Sequence, residues 1–394
     1  MDFQFSDEQK MFQESVRRLS LKHFAPKAFT WETGSGGSYP WENARILAEN
    51  GLMGMRLPEE EGGQGATLMD CVIAIMEITK VCPHTGDVFQ AGNFGAIQQV
   101  AFLGNETLKK TVLPKLLAGE TIITAAMSEP NAGSAVTDLR TTARFEGDDV
   151  VLNGSKIFNS NGDSAGYFCV WCRFGTGVAS SGAVIVPDDA PGFSRGKTEH
   201  HLSGEHHCML YFDECRVPKE YVLMSEQGFK KMMPVFNVER MGNSSRSLAV
   251  AELAYERSLQ YVKERKQFDR PLCEFQGIQW KLADMKLRIE QARWLLYKAV
   301  VEADRGVPTA LDSSLAKLAC NEASEFVCRE AIQIHGGYGL SKEYPFAYLY
   351  ARARGWVIAG GTVEMLRNRI AVEILGRNFD QRPPKPVTVK AAIP

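Results

Sequence analysis

The 394-residue chain contains no apolar run approaching the roughly 20 residues that a bilayer-spanning helix needs, so no membrane span is expected. It has no excess of either charge sign. Its 45 basic and 47 acidic residues leave a formal net charge of -2. Nothing in that balance favours nucleic acid or an anionic membrane surface as a partner. The nine cysteines are scattered and odd in number, which argues against a disulfide framework and for a reducing cytoplasm. The first residues, MDFQFSDEQK, lack the charged-then-apolar pattern of a signal segment. No internal repeat and no low-complexity segment is present. What remains is 44% hydrophobic and 23% charged, the balance of a globular protein. The length exceeds one ordinary hydrophobic core, so two or three packed regions are expected.

The texture changes twice along the chain. Residues 1–120 read as helical, with a capping box (Ser6 and Gln9) ahead of the first helix. A glycine-rich break at 58–65 is followed by helices at 66–82, 94–103 and 106–118. Residues 121–226 carry short β-rich runs divided by Gly, Asn, Asp and Pro, which predicts a small antiparallel barrel or sandwich. Residues 227–380 return to long helices, at 240–268, 276–304, 307–336, 341–357 and 362–376. A Pro-rich tail, 381–394, reads as extended. Cys169 and Cys172 form a CxxC, but inside a strand-like run, where alternation puts them on opposite faces.

Four loops hold more than a turn needs. AAMSEPNAGSAVTDLR (125–140) offers small hydroxyls and unhindered backbone N–H groups, suited to a polar ring edge or a phosphate, although an ordinary turn would read the same way. Phe158 and Ser160 lie two apart on one face of an extended run; the aromatic could flank a heterocycle or be core. Arg265, Gln267 and Phe268 close a helix, where an Arg, an amide and an aromatic suit a pyrophosphate joined to a planar group, or a solvated helix end. QIHGGYG (333–339) ends a helix with three glycines in four positions, open to close approach.

Taken together and in this order, these loops resemble the flavin-dependent acyl-CoA dehydrogenase family across the whole chain. Ser128–Ala135 resembles the family's Ser/Thr-Glu-Pro-x-Ala-Gly-Ser-Asp, KIFNSN its Lys-x-Trp-Ile-Thr-Asn, and RKQFDRPLCEFQ its Arg-x-Gln-Phe-Gly and Phe-Gln. QIHGGYG resembles its Gln-x-x-Gly-Gly-x-Gly. The resemblance implies an α+β fold: an N-terminal helical domain, a middle antiparallel β-barrel or sandwich, and a C-terminal four-helix bundle, assembled as a homotetramer. It implies FAD, held by Met127, Ser128, Phe158 and Ser160 around the ring. Gln333 and Gly337 would meet the adenosine half, with Arg265 and Phe268 from a neighbouring subunit, and Gln267, Thr362 and Glu364 would also hold the cofactor. Ser134, Arg240 and Ala359 would face an acyl-CoA, or acyl-carrier-protein, thioester, and an electron-transfer flavoprotein would take the electrons.

Three positions depart from the family pattern. Ala135 stands where Asp is usual, and Phe158 replaces Trp, losing an N–H donor. Gly360-Gly361-Thr362 stands where Glu-Gly-Thr is usual, so the commonest site of the catalytic base has no side chain. The family reaction removes an α-proton while hydride leaves the β-carbon, and it needs a carboxylate above the α-carbon. A minority of the family carries that base in a segment like FNVERMG, which here gives Glu239. Gly360 would keep only its backbone N–H as an oxyanion donor. Loss of bulk at 359–361 implies room for a branched, cyclic or aryl acyl group. An enoyl-CoA reductase, a desulfinase or a flavin-binding subunit without activity are the alternatives on the same fold. The histidine-rich HHLSGEHHC (200–208) is expected at the surface or the substrate edge rather than around a metal, and His335 is expected to be packed.

Overall fold

The computed structural model describes residues 4–29, 39–303, 307–379 and 381–382. The extended tail expected at 381–394 lies almost wholly outside them. Six helices form the first third: α1 (Asp7–His23), α2 (Trp41–Glu49), α3 (Leu68–Val81), α4 (Pro83–Asn93), α5 (Ala96–Leu103) and α6 (Glu106–Leu117). The Ser6 hydroxyl accepts from the Gln9 N–H at 3.1 Å, and the Gln9 side chain accepts from the Ser6 N–H at 3.2 Å, so the capping box forms. Helix α3 is buried on nearly every side and is the hydrophobic axis of this region.

Helix α4 had no counterpart in the sequence reading, because Gly86 and Gly92 look like turn residues there. Their purpose is close packing. A Cβ on Gly86 would stand 2.2 Å from the Thr79 hydroxyl, and one on Gly92 would stand 2.5 Å from the Met53 side chain.

Strands β1 (Ile123–Ala126) to β8 (Val222–Met224) form one sheet. Its path runs β6 (Phe193–His200), β7 (His206–Pro218), β3 (Asp149–Ser160), β2 (Thr142–Glu146), β4 (Tyr167–Arg173), β5 (Ser181–Pro187), β8. Pairing is mainly antiparallel, but β1 and β2 both meet β4 in parallel. Both faces of β4 are buried. Cys169 joins one hydrophobic cluster with Tyr167 and Trp171, and Cys172 joins another with Phe168 and Val170. All nine cysteines are free. Strand alternation separates the two thiols.

The last third begins with α7 (Gly228–Glu264), twelve residues earlier than the 240 expected from sequence. Pro234 lies inside it and suggests a break that does not occur. At its other end α7 stops at Glu264 rather than 268. The chain then makes a tight hairpin, β9 (Lys266–Gln267) with β10 (Arg270–Pro271), turning through Phe268 and Asp269 at φ 50° and 62°. Helices α8 (Gln276–Ala303), α9 (Ala310–His335), α10 (Gly337–Leu340), α11 (Phe346–Trp356) and α12 (Val363–Leu375) complete the bundle.

A buried charge cluster joins these regions. Asp87 on α4 pairs with Arg246 on α7 and, through its other oxygen, with Arg352 on α11. Arg352 also reaches Glu205, in the loop before β7, at 3.2 Å. Burial alone would raise the Asp87 carboxyl, but the guanidinium groups of Arg352 and Arg246 hold it below its usual range. Asp87→Ala leaves two guanidinium groups short of a partner, and urea denaturation should show a loss of about 3–5 kcal/mol. The linkage sign follows from the depressed value. The Asp87 contribution is present above the unfolded carboxyl pKa, about 3.9, and is lost as pH falls through the lower folded value. Asp87→Asn should therefore flatten the acid limb of a stability–pH curve.

Candidate active site

Glu239 lies in the fourth turn of α7, not just ahead of a helix beginning at 240. Gln90 on α4 donates its amide to Glu239 Oε1 at 2.5 Å. Glu239 Oε2 is buried and, among the described residues, has no hydrogen-bond partner. It faces Gly95, whose missing Cβ would stand 3.4 Å away. Burial raises the Glu239 pKa, while Arg246, Gln90 and Lys317 pull the other way without cancelling it. A carboxylate with one oxygen held, one oxygen free and a raised pKa has the form of a general base. Gly242, one turn further along α7, makes the contact with α4 feasible: a Cβ there would be 2.2 Å from the Gln90 Oε1.

The double glycine follows α11. Gly360 and Gly361 have φ 70° and 96°, a left-handed pair that disfavours side chains. Beneath them lies Lys317 of α9, fully buried, with its Cε 3.5 Å from where a Gly360 Cβ would be. Lys317 Nζ donates to Asn321 Oδ1 at 2.8 Å, to the Trp356 carbonyl at 3.2 Å and to the Gly361 carbonyl at 3.1 Å. Those two carbonyls bracket Gly360, so one amine pins the loop on both sides. Burial brings the Lys317 pKa down to about 7. Arg240 borders the same loop, its Nη2 3.7 Å from a Cβ built on Gly361. Its Nη1 donates to Asn237 at 2.9 Å, and burial lowers its pKa to about 10. Ala359 is exposed beside them.

Thr362 caps α12 by accepting from the Met365 N–H at 3.3 Å. Glu364 follows in the first turn, its carboxyl held low by its own backbone N–H and by the Thr362 hydroxyl.

A second wall belongs to the β-domain. Met127 and Ser128 leave β1 half-buried, and the Ser128 carbonyl accepts from the Ile157 N–H at 2.9 Å. The loop is anchored from inside by Lys156, which donates to the Met127 carbonyl at 3.1 Å and to Glu129 at 2.7 Å. Glu129 also accepts the Arg140 and Thr141 N–H groups at 2.5 and 3.0 Å. Burial opposes its ionisation, yet Lys156 and these donors hold Glu129 below the usual carboxyl range. Register slips between Lys156 and Asn159, so Phe158 and Ser160 do not sit on a regular extended run. Phe158 instead has φ 56° and is 55% exposed. A left-handed backbone that displays an aromatic ring is not required by any core. Ser134 is exposed in the same loop system.

Arg265 and Gln267 share a groove of about 590 Å³ with Gly336, Gly337, Tyr338 and His335. The structure thus places the third and fourth loops side by side within one chain. Gln333 is exposed one turn earlier on α9, and Phe268 projects from the hairpin, 89% exposed. His335 is packed, stacked on Tyr261 with ring centres 4.1 Å apart. Four other histidines pair at the β6–β7 end: His207 Nδ1 lies 2.7 Å from His201 Nε2, and both rings pack against the Phe158 ring. Among the described residues, no group of three or more His, Cys, Asp or Glu side chains comes together as a metal site.

Lys317, Gln90 and Arg246 were absent from the sequence reading. A lysine or glutamine inside an amphipathic helix carries no local mark of burial. The exposed ring of Phe158, the anchored 127–134 loop and the open groove fit a flat ring joined to a charged, extended tail. A flavin dinucleotide has that form.

Family models of the acyl-CoA dehydrogenase N-terminal, middle and C-terminal domains match residues 6–120, 124–215 and 226–375. The chain belongs to the acyl-CoA dehydrogenase family, whose cofactor is FAD. It is 34% identical to a 3-sulfinopropanoyl-CoA desulfinase of Paraburkholderia xenovorans over 96% of this chain and 99% of that one. It is 36% identical to an NADH-dependent acryloyl-CoA reductase of Anaerotignum propionicum, over 96% and 97%. The solved butyryl-CoA dehydrogenase of Megasphaera elsdenii superimposes with a TM-score of 0.90 at 32% identity, covering 95% of this chain and 100% of that one. No helix among the described residues is long and apolar enough to cross a membrane.

Lys156→Met should release the 127–134 loop while leaving the bundle intact. Retained FAD, read by absorbance after gel filtration, should fall at least about tenfold in affinity, the cost of a lost charged hydrogen bond.

Proposed function

We propose that the protein is an FAD-dependent acyl-CoA dehydrogenase that converts an acyl thioester to its 2-enoyl thioester. The observation that carries this reading is the Glu239 carboxylate, half-buried with its Oε2 covered, raised in pKa, gripped through one oxygen by Gln90 and free at the other. Glu239 Oε2 takes the α-proton, and the C–H electron pair becomes the new Cα–Cβ π bond as the β-hydride departs. FAD, when bound, would supply the hydride acceptor. The Gly360 N–H, fixed by Lys317 below it, donates to the thioester oxygen as negative charge develops there. Arg240 helps seat the substrate, and Ser134 lies at its edge.

Met127, Ser128, Phe158 and Ser160 are assigned to the flavin ring. Thr362 and Glu364 hold the cofactor beyond it, and Arg265, Gln267, Phe268, Gln333 and Gly337 hold the adenosine end. The Ala359-Gly360-Gly361 run leaves room for a branched, cyclic or aryl group on a CoA or carrier-protein thioester. An electron-transfer flavoprotein is the proposed acceptor of the electrons. Domain limits at 120, 226 and 380 follow the changes of texture. On α8, Trp280, Leu287, Trp294 and Val301 recur every seven residues and are all exposed, which suits burial against further copies in a homotetramer. Nine free cysteines suit the cytoplasm.

Desulfination is the second reading, favoured by the 34%-identical relative of that activity. It requires no α-proton base, so a retained Glu239 would have no task. Sulfite released from 3-sulfinopropanoyl-CoA would establish it.

Adding a suitable acyl-CoA anaerobically should bleach the flavin. Glu239→Gln should slow bleaching about 10²–10⁴-fold with FAD content unchanged. A variant that bleaches at the parent rate sinks the assignment. A raised carboxyl pKa means the base form is populated only above it. The parent rate should therefore rise with pH through a value above the ordinary carboxyl range, and Glu239→Gln should lack that limb.

A further inference from the structure

The charge cluster around Asp87 lies on the inward side of the proposed base. Along α7, only five of the eleven residues from Gly228 to Val238 are buried, whereas every residue from Arg240 to Ala254 is. A thioester's large, charged carrier must stay at the solvent side. The acyl chain therefore runs inward from Glu239. Arg246 lies seven residues further along α7, two turns on the same face and about 10 Å of axial rise. On the opposing helix, Gln90 and Asp87 are one turn apart. The two helices thus face each other with Glu239 against Gln90 and Arg246 against Asp87, separated by the bare Gly242.

Trp356 closes the third side. Its ring lies 5.2 Å from the Arg246 guanidinium and 5.3 Å from that of Arg352. It stands four residues before Gly360, and its carbonyl is held by Lys317. The cluster is therefore continuous with the oxyanion loop.

Two features specify what a ligand reaching this cluster would meet. Arg246 is 92% buried, as 8% of its surface is exposed, and its Nε has no acceptor among the described residues; the Nε of fully buried Arg352 has none either. Buried guanidinium N–H groups without acceptors are costly, and a ligand oxygen would satisfy them. The charges, however, already balance. Arg246 and Arg352 face Asp87 and Glu205, and burial pulls His84 to a pKa of about 4, leaving it neutral. A further anion would be buried unpaired, and it would also oppose ionisation of Glu239.

We infer that Arg246 is a specificity residue and that the acyl group ends in an uncharged, hydrogen-bond-accepting oxygen of the ketone, ester or amide type. Hydrocarbon leaves the Arg246 donor unsatisfied, and carboxylate or sulfinate overloads the cluster. This rests on the dehydrogenase reading for the direction in which the substrate enters.

The test uses three five-carbon thioesters: pentanoyl-CoA, 4-oxopentanoyl-CoA and glutaryl-CoA. Each is titrated into the FAD-loaded Glu239→Gln protein, and the perturbation of flavin absorbance gives Kd. The ketone should bind at least about tenfold more tightly than pentanoyl-CoA and more tightly than glutaryl-CoA. Adding Arg246→Met should erase the preference for the ketone over pentanoyl-CoA while moving the pentanoyl-CoA Kd less than about threefold, below one lost hydrogen bond. Arg246→Lys, which keeps the charge beside Asp87 but lacks Nε, should also lose the preference and covers the case in which the Met variant does not fold.

Pentanoyl-CoA or glutaryl-CoA binding most tightly, or a ketone preference that survives in a folded Arg246 variant, overturns the inference. If the parent is bleached by pentanoyl-CoA but the Glu239→Gln protein shows no ketone preference, the dehydrogenase reading stands and only this inference falls. If no thioester bleaches the parent or perturbs its flavin, both fall.

Discussion

Asp87 is the interaction on which the rest of the active region depends. One carboxylate is shared between guanidinium groups from α7 and α11, and the second of these continues to Glu205 at the end of the β-domain. Four segments far apart in the chain therefore meet at one buried group. Such a cluster adds less net stability than its Coulomb attraction suggests, because every charge in it had to leave water. What it supplies is position. With α4, α7 and α11 locked together, the Gln90–Glu239 contact, the Trp356 ring and the start of the double-glycine loop have fixed mutual placement.

The absence of a side chain at 360 is then understandable as part of a larger exchange. A left-handed glycine pair keeps backbone N–H groups available and removes bulk, while Lys317 prevents the loop from moving. The proposed base is instead a carboxylate of α7, where burial raises its pKa and Gln90 fixes its orientation. Gly242 is as necessary to that arrangement as Gly360, because any side chain there would occupy the place of Gln90. Bare positions on two different elements leave room for Gln90 and for Lys317.

The relatives at comparable identity include a desulfinase, a reductase and a dehydrogenase structure. Overall similarity thus assigns the fold and the cofactor without selecting a reaction. Selection rests on a few groups: where a base stands, what the far end of the acyl cavity accepts, and how the flavin is supplied with electrons. Similar packing of the same helices can accommodate each, since the α4–α7–α11 interface is built from individual side chains rather than from backbone shape.

The order of helical, β and helical regions could be read from residue pattern, and so could the four loops now lying along one groove and one β-wall. Those features are local: periodicity, β-rich runs, glycine-rich ends and a capping box are properties of a few neighbouring residues. Glu239 was legible only through resemblance and the vacancy at 360. Helix α4 was missed because its glycines serve packing, and the ends of α7 were misplaced because Pro234 is tolerated and the Phe268 turn is compact. Gln90, Arg246 and Lys317 left no sequence mark. The sequence by itself determined the order of helical, β and helical regions and the family, since both are encoded by pattern and motif along the chain. Only the tertiary structure decided which polar side chains are buried together, and hence their pKa values and free valences, because burial and partnership are set by helices that meet across long stretches of chain.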